Sequence, residues 1–282
     1  KCMKEFMYFA FKNKKFKIGL SILLFFLILA VIGPYLSHYK DPLEYVSMSN
    51  LPPNKDNWMG TTTFGQDVFT QFVYGLRSTF FIGLFGGGLA TIIGLLIGFI
   101  AGYRGGWMDE ILMMLTNILI VIPTLALLII IAAYLPYRGI GIQSVIIGLT
   151  AWPWTARAVR AQTLSLKSRE FVNLAKITAL PSLKIVLEEI APNMMSYVVM
   201  VFILQFAGAI LAAVGLDFIG LGPTRGISLG LMLQYSVLWS AIQLGIWWWF
   251  IPPGLAITMV VSSLYFLNIG LDEIFNPRLR EE

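Results

Sequence analysis

Charge is the scarcest thing in this chain. Only 12% of its 282 residues are Asp, Glu, Lys or Arg, against about 25% in a soluble domain, while 57% are hydrophobic. That balance excludes an ordinary soluble domain and predicts an integral membrane protein. A single cysteine, Cys2, excludes an internal disulfide and a thiolate metal cluster. A single histidine, His38, follows the first apolar run and reads as a boundary residue rather than a metal ligand. A membrane-bound enzyme would need clustered His, Asp or Glu at membrane depth, so no catalytic residue and no metal site is assigned. No G-x-x-x-x-G-K-[ST] segment occurs, so the chain does not bind and hydrolyse ATP through the usual phosphate loop. A net charge of +5 is compatible with nucleic acid, but where those charges sit points elsewhere.

Uncharged sequence is what the chain has in abundance. Ile18 to Leu36 gives 19 residues without a charge, about 28 Å as a helix and enough to span a bilayer. A cleaved signal peptide is the alternative, but the run is too long and ends without an A-x-A-like site, so a retained anchor is expected. The second span is expected over Ser78 to Tyr103. There Gly83, Gly86, Gly87, Gly88, Gly94 and Gly98 suit close helix packing. The third is expected over Ile111 to Leu135, the fourth over Ile142 to about Ala158, and the fifth over Met194 to Leu216. Gly226 to Leu271 then holds 46 residues without a charge. That predicts a loop or re-entrant helix around Leu231 to Ile242, followed by a sixth span from Trp247 to Ile269. Gly220 to Gly226 has the wrong spacing and context for a dinucleotide-binding turn. The expected fold class is an all-α membrane protein of about six spans.

One polar stretch interrupts this pattern, Leu164 to Asn193. In Phe171 to Leu180 the residues Phe171, Leu174, Ala175 and Thr178 follow the spacing of one helix face. Glu170 lies in the first turn and Lys176 toward the far end, both favourable to the helix dipole. Pro181 breaks the pattern, and Ser182 can cap a second helix over Leu183 to Ile190. Two short helices meeting at a bend on the membrane surface make a protruding docking element.

These residues resemble the cytoplasmic EAA loop of permease subunits of binding-protein-dependent ABC importers. The closer likeness is to the C-type permease of the dipeptide, oligopeptide and nickel family, whose loop runs roughly E-Y-V-E-A-A-R-A-L-G and later I-L-P-N. Glu170-Phe171-Val172-Asn173-Leu174-Ala175-Lys176 and Ile190-Ala191-Pro192-Asn193 fall in register. Asn173 stands where the family has a glutamate, Leu174 where it has the first alanine, and Ala179 where a glycine usually marks the bend. Asn57 to Val68 resembles the signature H-x-L-G-T-D-x-x-G-R-D-V, with Thr62 for the aspartate and Gln66 for the arginine. Tyr103 to Glu110 resembles G-Y-x-G-G-W-x-D-E, and Asp272 to Arg278 the D-x-x-D-P-R tail. The resemblance covers Trp58 to Arg278.

The resemblance implies a type I ABC importer permease fold, with a cytoplasmic segment over 1–17, a first span over 18–36 and an extracytoplasmic segment over 37–77. A five-helix core over 78–271 would contain the coupling loop 161–190, and 272–282 would be a cytoplasmic tail. It implies docking on an ATPase through Glu170, Phe171, Val172, Asn173, Leu174, Ala175, Lys176, Thr178, Ala179, Leu180, Pro181 and Ser182. The implied partners are a homologous B-type permease, one or two ATPase subunits carrying ATP and Mg, and an extracytoplasmic substrate-binding protein. No cofactor is implied on this chain. Candidates for the translocation path are Asn117, Pro123, Thr124, Gln205 and Asp217, the last as an intramembrane carboxylate. Plain helix packing is the competing account for the polar residues of the third span.

Topology follows from charge. With the amino terminus inside, 15 of the 20 Lys and Arg fall on inner segments and five, Lys40, Lys55, Arg77, Arg138 and Arg225, fall outside. The positive-inside rule favours this orientation, which places the docking loop in the cytoplasm and removes the case for nucleic acid; the resemblance implies the plasma membrane of a prokaryote. Peptides are the expected cargo, with oligosaccharides or nickel as alternatives. An ion-coupled secondary transporter is the rival from another class; it would want midplane ionisable groups and internal repeats, which are not seen.

Overall fold

The computed structural model describes residues 12–275. Lys1, Lys4, Arg278 and Arg280, to which the sequence assigns an inner location, lie outside the described residues. Among those described, the chain is helical, and its one β feature is an isolated bridge between Thr61 and Asp67. In chain order the helices are α1 (Lys14–Leu36), α2 (Val68–Arg104), α3 (Gly106–Val121), α4 (Thr124–Tyr134), α5 (Ile140–Lys167) and α6 (Glu170–Ile177). A short helical stretch over 182–193 follows, then α7 (Met195–Phe218), α8 (Leu229–Leu238) and α9 (Trp247–Phe275). Helices α1, α2, α7 and α9 are each long and apolar enough to cross a bilayer, and α3 with α4, bent by 85° at their junction, adds a fifth when the pair is counted as one span. The expected fourth span falls in α5, whose hydropathy, lowered by residues such as Gln143 and Arg157, leaves it outside the helices that pass as apolar spans. Large apolar side chains such as Phe25, Ile92, Leu149 and Leu255 face outward, the arrangement of a protein whose solvent is lipid.

Helix α2 holds the bundle together. It begins ten residues before the expected Ser78 because Asp67 caps it, Oδ2 accepting from the Thr70 backbone N–H at 2.7 Å. Asp67 Oδ1 also accepts from Asn57 Nδ2 at 2.9 Å, which ties the preceding loop to the helix start. At 37 residues α2 runs to about 55 Å and extends well past a hydrocarbon core of about 30 Å. Its glycines are where its neighbours touch. A Cβ on Gly87 would lie 2.7 Å from Phe206 N in α7, and one on Gly98 would lie 2.8 Å from Ala156 O in α5. Lipid supplies no hydrophobic drive between helices, so such close backbone approach carries the association. Gly19 and Gly270 do the same for α1 against α9, each facing the other helix's backbone at 2.7 Å.

The 31-residue connection from Ser37 to Asp67 is irregular yet ordered by its own polar groups. Thr62, in the position of the signature's aspartate, acts as an acceptor: its Oγ1 receives the backbone N–H groups of Phe64 and Gln66 at 3.1 and 3.2 Å. Gln66, in the arginine position, donates to Leu43 O at 2.9 Å. Trp248 Nε1 donates to Thr61 O at 3.1 Å, pinning the loop to the start of α9.

The third span departs from expectation. It is two helices meeting at Ile122 and Pro123, not one kinked rod. Pro123 has no N–H to donate, and it forces the preceding residue out of the helical region. Ile122 accordingly sits at φ −75°, ψ 124°.

The glycine contacts predict opposite outcomes at adjacent positions. Gly87→Ala drives a methyl into the backbone of α7 and should cost about 1–3 kcal/mol. Gly88→Ala, with only Phe202 near at 3.9 Å, should be neutral or stabilising by up to about 1 kcal/mol through helix propensity. Thermal unfolding of the purified variants in detergent checks both.

Candidate functional site

The docking segment is built by the end of α5. That helix continues beyond the expected fourth span to Lys167, and α6 starts after a two-residue turn. Val172 and Ala175 of α6 pack with Val159 of α5 and with Ile185, Val186 and Ile190 of the following stretch. The buried face is therefore centred on Val172 and Ala175 and does not coincide with the face that the sequence spacing marks. Of the four residues expected on one face, Phe171 is half-buried and Ala175 buried, whereas Leu174 is 63% exposed and Thr178 is exposed. Val159 and the pair Ile185–Val186 offer a surface that Val172 meets, which leaves Leu174 outward. Ile177 is 80% and Leu183 71% exposed, and Leu187 is also exposed. Together these four make an apolar ridge on an otherwise polar element, flanked by Asn173, Lys176 and Ser182, which are exposed as well.

The bend after α6 explains the family glycine. Leu180 N–H donates to Ala175 O at 3.3 Å and Ala179 N–H to Lys176 O at 3.0 Å, the paired bonds of a Schellman motif. That motif places the residue after the cap in the left-handed region, and Ala179 has φ +57°. An alanine there carries strain that glycine avoids. Ser182 does not cap the next helix as expected. Pro181 takes the cap position, with its carbonyl accepting from Ile185 N–H at 3.1 Å, and no side chain caps the turn. Ile185–Ile190 then forms a π-helical turn instead of the expected α-helix. Pro192 gives the reason: it lacks the N–H that Glu188 O would accept in an α-helix, and its ring crowds that carbonyl.

The five candidates for the translocation path do not converge on one point. Gln205 and Asp217 are buried in α7. Gln205 Nε2 donates to Thr155 Oγ1 at 2.6 Å and to Ala151 O at 2.9 Å, fastening α7 to α5. Asp217 is 1% exposed. Its Oδ1 accepts from Gln143 Nε2 at 2.7 Å and its Oδ2 from Ser228 Oγ at 2.5 Å. Gly222 and Gly230 leave room for it, since a Cβ on either would fall within 2.7 Å of the carboxylate. Ser228 in turn caps α8, accepting from Leu231 N–H at 3.1 Å. Asp217 thus joins α5, α7 and α8 at one buried point.

Asn117, Pro123 and Thr124, in the broken span, are all exposed. Asn117 Oδ1 accepts from Arg157 Nη2 of α5 at 2.6 Å. Three residues on, Arg160 makes a two-pronged pair with Asp109, Nε to Oδ1 at 2.5 Å and Nη2 to Oδ2 at 2.6 Å. Sequence reasoning counted Arg157 only toward topology. Its partner is 40 residues away in another helix, and only the direction of a helical side chain, back toward its own N-terminus, could have hinted at the contact.

Residues 94–281 match the family of binding-protein-dependent transport system inner membrane components. The chain belongs to this family. Residues 3–53 of this inner-membrane component match the N-terminal transmembrane domain of oligopeptide transport permease C. It is 35% identical over 270 residues to the dipeptide transport system permease protein DppC of Bacillus subtilis, covering 95% of this chain and 83% of that one. It is 31% identical over 270 residues to the oligopeptide transport system permease protein OppC of the same organism, covering 95% and 87%. A putative peptide transport system permease protein of Brucella abortus is 33% identical over 274 residues, covering 96% and 90%.

Two outcomes follow for this permease. Ala179→Gly should stabilise the bend by about 0.5–1 kcal/mol, read as slower hydrogen exchange at the Leu180 amide. Asp217→Ala leaves Gln143 and Ser228 without their acceptor and should cost about 1–3 kcal/mol. Asp217→Asn, which keeps one acceptor oxygen, should lose less in the same melting assay.

Proposed function

We propose that this chain is a permease subunit of an ATP-driven, binding-protein-dependent importer that carries peptides across a prokaryotic plasma membrane. Both termini and the α6 segment face the cytoplasm in this reading. The inner location of most Lys and Arg supports that orientation. The relatives supply the cargo: those quoted above are dipeptide, oligopeptide or peptide transport permeases.

The observation that carries the reading is the apolar ridge of Leu174, Ile177, Leu183 and Leu187. Exposed apolar side chains on a polar, water-facing element mark a protein contact. Leu174 and Ile177 are three residues apart and so present one helix face. Their other side is locked through Val172 and Ala175 to the end of α5. A push on the ridge is therefore delivered to α5 and, through its glycine contacts, to α2. Closure of ATPase subunits would act as such a push, and rigid movement of α5 and α2 would alternate access to a path shared with a second, homologous permease. ATP and Mg belong on the ATPases, and an extracytoplasmic binding protein would deliver the peptide. No bond is made or broken on this chain.

The test is co-purification in mild detergent. Wild type should recover a second permease and one or two ATPases. The double variant Ile177→Asp, Leu183→Asp should still insert and hold the second permease, while losing at least about tenfold of the bound ATPase, equivalent to about 1.4 kcal/mol. Unchanged ATPase recovery would mean that the ridge is not the docking surface.

A further inference from the structure

The Arg157–Asn117 pair lies where a lipid-facing surface would not hold a charge. Asp109, paired with Arg160, marks the polar end of α3. Asn117 lies eight residues further on, about 12 Å along the helix. A cationic side chain that met lipid at this level would snorkel back to the polar end. Arg157 does the reverse and extends away from Asp109 to reach Asn117. Both residues are exposed. Among the described residues no carboxylate pairs with Arg157, because Asp109 is already taken by Arg160. A second observation falls on the same helix. Residues 121–126, which contain the break, are exposed too. Broken helical backbone at membrane depth is tolerated only against protein or a water-filled cavity.

From these two facts we infer that Arg157, oriented by Asn117, is a substrate contact on the translocation path, and that it receives the carboxylate of a passing peptide. The guanidinium is planar and carries more donors than Asn117 uses, so it can offer a two-pronged site to a carboxylate. The inference rests on the peptide-import reading and adds to it a specificity determinant on the permease itself.

The experiment uses the whole importer in proteoliposomes, with one peptide supplied as the free acid and as its C-terminal amide. The affinity of the binding protein for each is measured separately, and import is compared at saturation. Wild type should import the acid about tenfold faster than the amide, a difference of about 1.4 kcal/mol. Arg157→Gln should slow the acid alone and bring the ratio toward one, while Arg157→Lys, a point charge without the fork, should fall between. A wild-type ratio of one, or a ratio unchanged in Arg157→Gln, overturns the carboxylate site while leaving peptide import standing. Loss of the second permease from Arg157→Gln preparations, with both peptides slowed equally, also overturns it and assigns the guanidinium to the partner subunit. Wild-type vesicles that import neither peptide overturn the peptide-import reading, and the site with it.

Discussion

Close backbone approach along α2 is the constraint on which this structure depends. In water a helix bundle is driven together by burial of apolar faces, but in lipid the exposed and buried faces of a helix are equally apolar. What remains is the extra dispersion gained when helices come closer than side chains normally allow. Gly83 and Gly87 admit α7 to α2, and Gly94, Gly98 and Gly102 admit α5. Because the two sets sit at different levels of one long helix, α2 fixes α5 and α7 relative to each other. Everything else is placed by that frame: α1 and α9 on one side, the broken span on another, and the docking segment at the end of α5.

The polar residues within the frame divide into two kinds. Gln205 and Asp217 are spent internally, each meeting donors or acceptors supplied by α5 or the start of α8. Such groups specify which helices meet, since any other partner would leave a polar atom unpaired in a medium without water. Asn117 and Arg157 satisfy each other only in part and stay exposed. The same residue types thus stitch the bundle in one place and present chemistry in another, and burial is what separates the two.

The docking segment joins the frame to its surroundings through an economy of faces. Val172 and Ala175 point at the membrane domain, and Leu174 and Ile177 point away from it. An eight-residue helix cannot hold itself together in water, so its shape is set by the Schellman turn at Ala179 and by the packing of its inner face. That arrangement ties a short element to the end of α5 by its buried face.

Residue order alone determined much of this protein. The scarcity of charge named the solvent, the uncharged runs located the long helices to within a few residues at most ends, and Leu164 to Asn193 marked the polar interruption that contains α6. These are local or compositional signals, and lipid enforces them because every backbone group must be satisfied within its own helix. The start of α2 was misplaced because the cap at Asp67 lies inside a loop whose polar groups look like any other turn. The 85° break was legible as a proline but not as an angle, since the angle depends on what α5 and α7 allow α4 to rest against. Which face of α6 is buried, and that Asp217 is internal while Asn117 and Arg157 are exposed, were decided by tertiary structure alone. The polar contacts join residues 40 or more apart in sequence, the face of α6 is set by the end of α5 and by the stretch that follows it, and the spacing of residues along one helix carries no information about which neighbour will cover it.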